Sequence, residues 1–258
     1  LTDQRIRRIV DFPNAADSFP GVDISGGVCF FLWNRDERGE CLIETFKKNT
    51  VISSMQRPLL EKNSTVFIRF NDAIPILRKI QKSKENTFDS LVSAQTPFGI
   101  ISSFKNYKKD YFNDSVKIYT VDGEKYINPE VVTRNSHWIK DHKVYISKSY
   151  GERGAYPYRF LAKPFLGEPN SCCTQTYLLI GPFANEMIAK NVISYIHTKF
   201  FRFCIMLRKN TQDAMRGAYS FVPLQDFSES WTDEKLYKKY NLTQEEIDFI
   251  ESMIRPME

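Results

Sequence analysis

The six residues Val28 to Trp33, VCFFLW, restrict the fold of this chain more than any other stretch. Six consecutive apolar side chains are too few to cross a bilayer as a helix and about right for a strand buried on both faces. Just before them, Arg5 to Phe12 (RIRRIVDF) reads as a second core strand. Pro13, Pro20, Gly21, Gly26 and Gly27 lie between the two and supply turn chemistry. The chain therefore opens on two strands that need a surface to be buried against.

A charged turn, NRDERGE, and a further strand from Cys41 to Phe46 follow. The segment STVFIRFNDAIPILRKIQKSK then changes period: Asn71 is placed to cap a helix, with Ile74, Ile76, Leu77 and Ile80 on one face and a lysine-rich stop. Later, VKIYTVDGEKYI alternates about Asp122-Gly123, a hairpin signal. HKVYISKSYG is a strand running into a basic loop, and TQTYLLIGPF is a strand halted by Gly-Pro. One long helix is predicted next, with Met187, Ile188, Val192, Ile196, Phe200, Phe203 and Leu207 in a single stripe. A tail helix opens on a capping box, Thr243-x-x-Glu246. The class implied is α/β (α+β). The divisions are 1–56, a linker with a helix at 57–86, a domain at 87–225 and a helical tail at 226–258.

Chemistry is sparse. No phosphate-binding glycine loop, nucleophile elbow or zinc-protease helix occurs, and the three histidines (137, 142, 197) have no metal-ligand spacing. Five cysteines at positions 29, 41, 172, 173 and 204 also lack metal spacing and read as buried free thiols of a reducing cytoplasm. No apolar run has membrane-spanning length. The pattern is that of a binding module.

Charge points to the partner. The net charge is +5, and residues 134–163 carry seven cations against two acids, whereas the tail from Asp226 carries nine acids against four cations. The middle is the candidate nucleic-acid face. Three loops mix phosphate-binding, base-reading and stacking side chains: 102–112, 148–159 and 208–219. Their candidate DNA-binding residues, with one from the intervening segment, are Lys105, Lys108, Lys109, Arg134, Lys148, Tyr150, Arg153, Arg208, Lys209, Asn210, Gln212 and Arg216. The tail is expected to be dispensable for DNA contact. A solvated loop with ordinary charges is the competing reading of each.

These features together resemble the C-terminal part of an adenine-specific DNA methyltransferase of a restriction–modification system. RIRRIVDFPNAADSFPGVDISGGVCFFLW resembles the last two strands of the methyltransferase sheet, in which both would be buried. NVISYIHTKFFRFCIMLRKNTQDAMRGAYSFVPL is similar to target recognition domains of the kind found in Type I specificity subunits. The resemblance implies a remnant of a Rossmann-like sheet followed by a mixed α/β target recognition domain, with double-stranded DNA and an N-terminal methyltransferase domain as partners. It implies S-adenosylmethionine as cofactor of the whole enzyme and none for this chain. The family's Asn-Pro-Pro-aromatic tetrad is missing, the nearest string being Asn128-Pro129-Glu130, and so is the cofactor loop. No catalytic residue is therefore expected here. Phe19, beside Pro20, matches the family's aromatic that stacks on a flipped adenine. A standalone DNA specificity subunit and a basic RNA- or protein-binding module fit the same residues.

Overall fold

The computed structural model describes residues 2–22, 24, 26–152 and 156–257. Its residues form a mixed α/β fold in two compact units, 1–78 and 79–258, with the division inside a helix.

In the N-terminal unit, β1 (Ile6–Phe12), β2 (Val28–Trp33), β3 (Cys41–Lys47) and β4 (Thr50–Arg57) form one sheet in the order β2-β1-β3-β4. β1 pairs antiparallel to β2 (Ile9 with Phe31) and parallel to β3 (Ile9 with Ile43), while β3 and β4 form an antiparallel hairpin. Alternation along β3 turns Cys41, Ile43 and Thr45 to one buried face. Ile9, Leu59, Ile6 and Phe67 complete that small core.

The expectation of two buried strands fails for β2. It is the edge of the sheet, and Phe30, Phe31 and Leu32 are 60%, 59% and 58% exposed. An apolar run marks a strand without fixing its place in the sheet, and β2 has a neighbour on one side only. Cys29, on the same strand, is likewise exposed instead of buried.

Helix α1 (Ala73–Lys82) forms where its periodicity places it. Asn71 does not cap it. Its side chain accepts from Arg57 Nε at 2.9 Å and donates to the Ile43 carbonyl at 2.9 Å and Ser53 Oγ at 3.2 Å. The helix starts at Ala73, one residue later than an Asn71 cap requires, and the Asn71 side chain serves the buried guanidinium, whose loss of hydration must be offset by partners. Burial nevertheless lowers Arg57 to about 10.

The C-terminal unit holds two three-stranded sheets. One runs β6-β5-β9, from β5 (Val116–Thr120), β6 (Gly123–Ile127) and β9 (Ser171–Cys173); the other runs β10-β7-β8, from β7 (His142–Ser147), β8 (Phe165–Gly167) and β10 (Tyr177–Phe183). The hairpin falls where expected, with its turn one residue earlier: Thr120 pairs with Gly123, whose φ of 89° relieves the backbone just after Val121-Asp122. β10 runs through Gly-Pro with a register shift instead of stopping there.

The single long helix is two, α2 (Glu186–His197) and α3 (Lys199–Arg208). Thr198 takes an extended conformation and serves both, donating to the Tyr195 carbonyl at 2.7 Å and accepting from Phe201 N at 3.1 Å. Met187, placed on the apolar stripe by periodicity, is exposed. Phe88, Tyr195, Phe201 and Phe227 pack ring to edge around these helices, with Tyr219 tilted against Phe88. Helix α4 (Asp233–Lys239) and helix α5 (Gln244–Met253) follow, α5 with the expected capping box formed. Among the described residues no helix is long and apolar enough to cross a membrane, and no cluster of His, Cys, Asp or Glu could hold a metal ion.

Candidate nucleic-acid interface

Topology gathers the basic loops at one end of the C-terminal unit. β5 and β9 are parallel, so Tyr119 and Cys173 leave their strands side by side; β7 and β10 are antiparallel, so Ser147 leaves where Tyr177 enters. The short link Thr174–Thr176 therefore sits between the ends of both sheets, and the surrounding loops are tied to it. Thr174 N donates to the Tyr119 carbonyl at 3.0 Å, Lys148 N to the Thr176 carbonyl at 3.1 Å, and Gln175 N to the Ile100 carbonyl at 2.8 Å. Thr176 Oγ1 lies 3.4 Å from Ser102 Oγ.

The segments 148–150 and 212–214 lie along each other as a short ladder. Tyr150 N donates to the Gln212 carbonyl at 3.0 Å and Ala214 N to the Lys148 carbonyl at 2.7 Å, with Ser149 Oγ on Asp213 between them. The Gln212 side chain lies across Gly151, where a Cβ would meet its Cγ at 3.1 Å. Two loops read separately in sequence thus form one surface bearing Lys148, Tyr150, Asn210 and Gln212. Arg134 joins the same end through its neighbour: Asn135 Nδ2 donates to the Pro97 carbonyl at 2.8 Å, in the loop that leads to Ile100 and Ser102.

The other candidates divide. Lys109 and Arg134 are exposed and Lys148 half-buried, and none meets an acid among the described residues. Lys105 is paired with Asp122 at 2.9 Å, a hydrogen bond that raises the lysine and lowers the aspartate. Lys108 lies over the Phe112 ring at 4.5 Å. Lys209 turns inward and donates to the carbonyls of Tyr150 and Phe160, and burial lowers its ammonium below the ordinary value. Arg208 donates to the Gly217 carbonyl at 2.7 Å and lies over Phe221. Arg216 donates to the Asp89 carbonyl at 2.9 Å. Arg153 lies outside the described residues. Phe19 belongs to the other unit, where it is 53% exposed at the end of a short helical turn. Asn128, of the near-miss tetrad string, caps a turn by accepting from Glu130 N at 3.1 Å.

The charge count overstated the face. Lys143, one of the seven cations of residues 134–163, is fully buried and donates to the carbonyls of Trp138, Ile139, Asp141 and Glu168 at 2.7–3.2 Å. Thr174 and Thr176, which periodicity assigns to the strand TQTYLLIGPF, lie before β10 (Tyr177–Phe183) and with Ser102 organise the surface. The Thr-x-Thr spacing before a strand was the one available signal, since such hydroxyls bond to nearby backbone and turn the chain.

No protein-family model matches this sequence, and no curated protein matches it.

Proposed function

We propose that this chain supplies sequence-specific recognition of duplex DNA to a site-specific N6-adenine methyltransferase. The observation that carries the reading is the joined surface of residues 148–150 and 210–214. There a cation, a tyrosine and Gln212 share one backbone-paired mount at the end of two sheets, with Asn210 exposed two residues before it. Lysine suits phosphate, and Asn and Gln suit the N6/N7 edge of adenine, while a rigid mount holds the geometry that such readout needs. Lys109 and Arg134 extend the cationic rim. In this reading the C-terminal unit is the target recognition domain and the N-terminal sheet is a remnant of the methyltransferase sheet. The apolar edge strand β2 then has a natural partner in the catalytic domain of the enzyme. Phe19 would stack on the extruded base, and S-adenosylmethionine would bind to the enzyme outside this chain.

Titration of a fluorescent duplex with the chain over a range of salt tests the reading. Binding should weaken linearly in log–log form as salt rises. Lys148→Glu should weaken binding on every duplex and lower the slope by about 0.9 for the lost phosphate contact. Binding that ignores salt, or a slope unchanged in Lys148→Glu, would refute it. Calorimetry with S-adenosylmethionine should show no specific heat, and micromolar affinity would contradict the division of labour.

A further inference from the structure

The loop that leaves β7 returns to the fold by an unexpected route. Tyr158 N donates to the Met253 carbonyl at 3.0 Å and Arg255 N donates to the Tyr158 carbonyl at 2.9 Å, a parallel bridge centred on Tyr158 and Ile254. Ile254 is fully buried. Glu152 closes the loop from within: one carboxylate oxygen accepts from Arg159 N and Phe160 N, and the other accepts from Arg255 Nη2. The tail strand is itself fixed, since the Arg255 carbonyl accepts from Arg202, a fully buried side chain that also donates to the His197 and Thr198 carbonyls. Lys209 bonds the Tyr150 and Phe160 carbonyls and so joins the two ends of the loop.

We infer that Met253–Arg255 together with Glu152 form a clamp that holds the two described arms of this loop, residues 148–152 and 156–160, in their working conformation. The clamp makes Arg255 a positioning residue for the DNA surface, although it lies in the acidic tail. The clamp stands on geometry alone, and its consequence for recognition rests on the proposed function. An acid within a basic loop has a clear use here. The Glu152 carboxylate is only 12% exposed and is satisfied by two amides and a guanidinium, so it adds little negative potential to the face.

Arg255→Ala and Arg255→Lys in the full chain test this by two readings. The first is amide hydrogen exchange of Arg159 and Phe160, expected to quicken about tenfold in Arg255→Ala, the loss of one charge-assisted hydrogen bond. Exchange in β7 and α3 should stay unchanged, and Arg255→Lys should recover part of the protection. The second is discrimination between a preferred duplex and its one-base variants. It should fall at least several-fold in Arg255→Ala while the salt slope stays as in wild type, because Arg255 touches no phosphate. Unchanged exchange would overturn the clamp. Faster exchange with undiminished discrimination would overturn the positioning role, and a slope lowered by about 0.9 would mean direct phosphate contact instead. Should wild type fail to bind duplex DNA, the proposed function falls while the exchange reading still decides the clamp. Glu152→Gln, which keeps acceptors for both amides and drops only the ion pair, gives the same readings if Arg255→Ala does not fold.

Discussion

Replacing Lys143 by methionine removes a cation from the floor of the interface unit at nearly constant volume. Two opposed effects set the outcome. Burial brings the Lys143 ammonium down to about 8 from the ordinary 10.5. At about 1.36 kcal/mol for each pH unit, the charged form therefore disfavours folding by roughly 3 kcal/mol at neutral pH. Against this stand its four carbonyl partners. Three keep another donor: Trp138 O from Asp141 N, Ile139 O from Asn170 N and Glu168 O from Ser171 Oγ. The Asp141 carbonyl loses its partner among the described donors, at a cost of about 1–3 kcal/mol. Lys143→Met should therefore lie within about 2 kcal/mol of wild type at pH 7. The sign of the pH dependence follows from the depressed value in the fold. Between about 8 and 10.5 the unfolded chain binds the extra proton, so wild type gains stability relative to the variant as pH rises through that window. Urea unfolding of both proteins at pH 7, 8, 9 and 10 isolates the effect, because other titrating groups cancel in the difference. A difference that stays constant across the window would refute the reasoning, showing that the carbonyl cage fully offsets burial of the charge.

Thr198→Ala should destabilise the chain by about 1–2 kcal/mol in denaturant unfolding, since one hydroxyl caps α3 and ties off α2. Asn71→Ala should cost about 1.5–3 kcal/mol in the same assay, because it removes one of the two acceptors of the buried Arg57 guanidinium and leaves only the Ile68 carbonyl. His197 is held below its ordinary 6.5 by burial, then by Lys163 and Arg202. Stability should fall as pH drops from 6.5 through that lower value and level off beneath it, and His197→Gln should flatten that part of the acid limb in thermal melts.

Local chemistry was legible in the sequence where one rule decided the outcome. The capping box at Thr243 and Glu246 and the strand of HKVYIS form, and the hairpin of VKIYTVDGEKYI forms with its turn at Val121-Asp122, one residue before the Asp122-Gly123 pair that marked it. What was missed depended on competition between rules. The apolar stripe from Met187 to Leu207 keeps its phase across Thr198, so periodicity alone could not show that a hydroxyl would end one helix and start the next. Asn71 lies one residue before the cap position of α1, which starts at Ala73, and its side chain is held by Arg57, a residue 14 positions away. β4 and α4 went unread because Thr50–Arg57 mixes polar and apolar residues and Asp233–Lys239 is short and highly charged.

The interface was legible as composition and not as geometry. Three loops of like chemistry were visible, but the backbone ladder that joins two of them depends on strand order. The inward turns of Lys143 and Lys209 depend on carbonyls far along the chain. A count of cations cannot separate a charge facing water from one spent inside the fold.

Selection from a random duplex library tests the central claim most directly. The chain should enrich one short site, and Gln212→Ala should relax the preference at a single position of that site, since each bidentate contact is worth about 1–3 kcal/mol of discrimination. Enrichment of no sequence, or a preference left intact by both Gln212→Ala and Asn210→Ala, would contradict it.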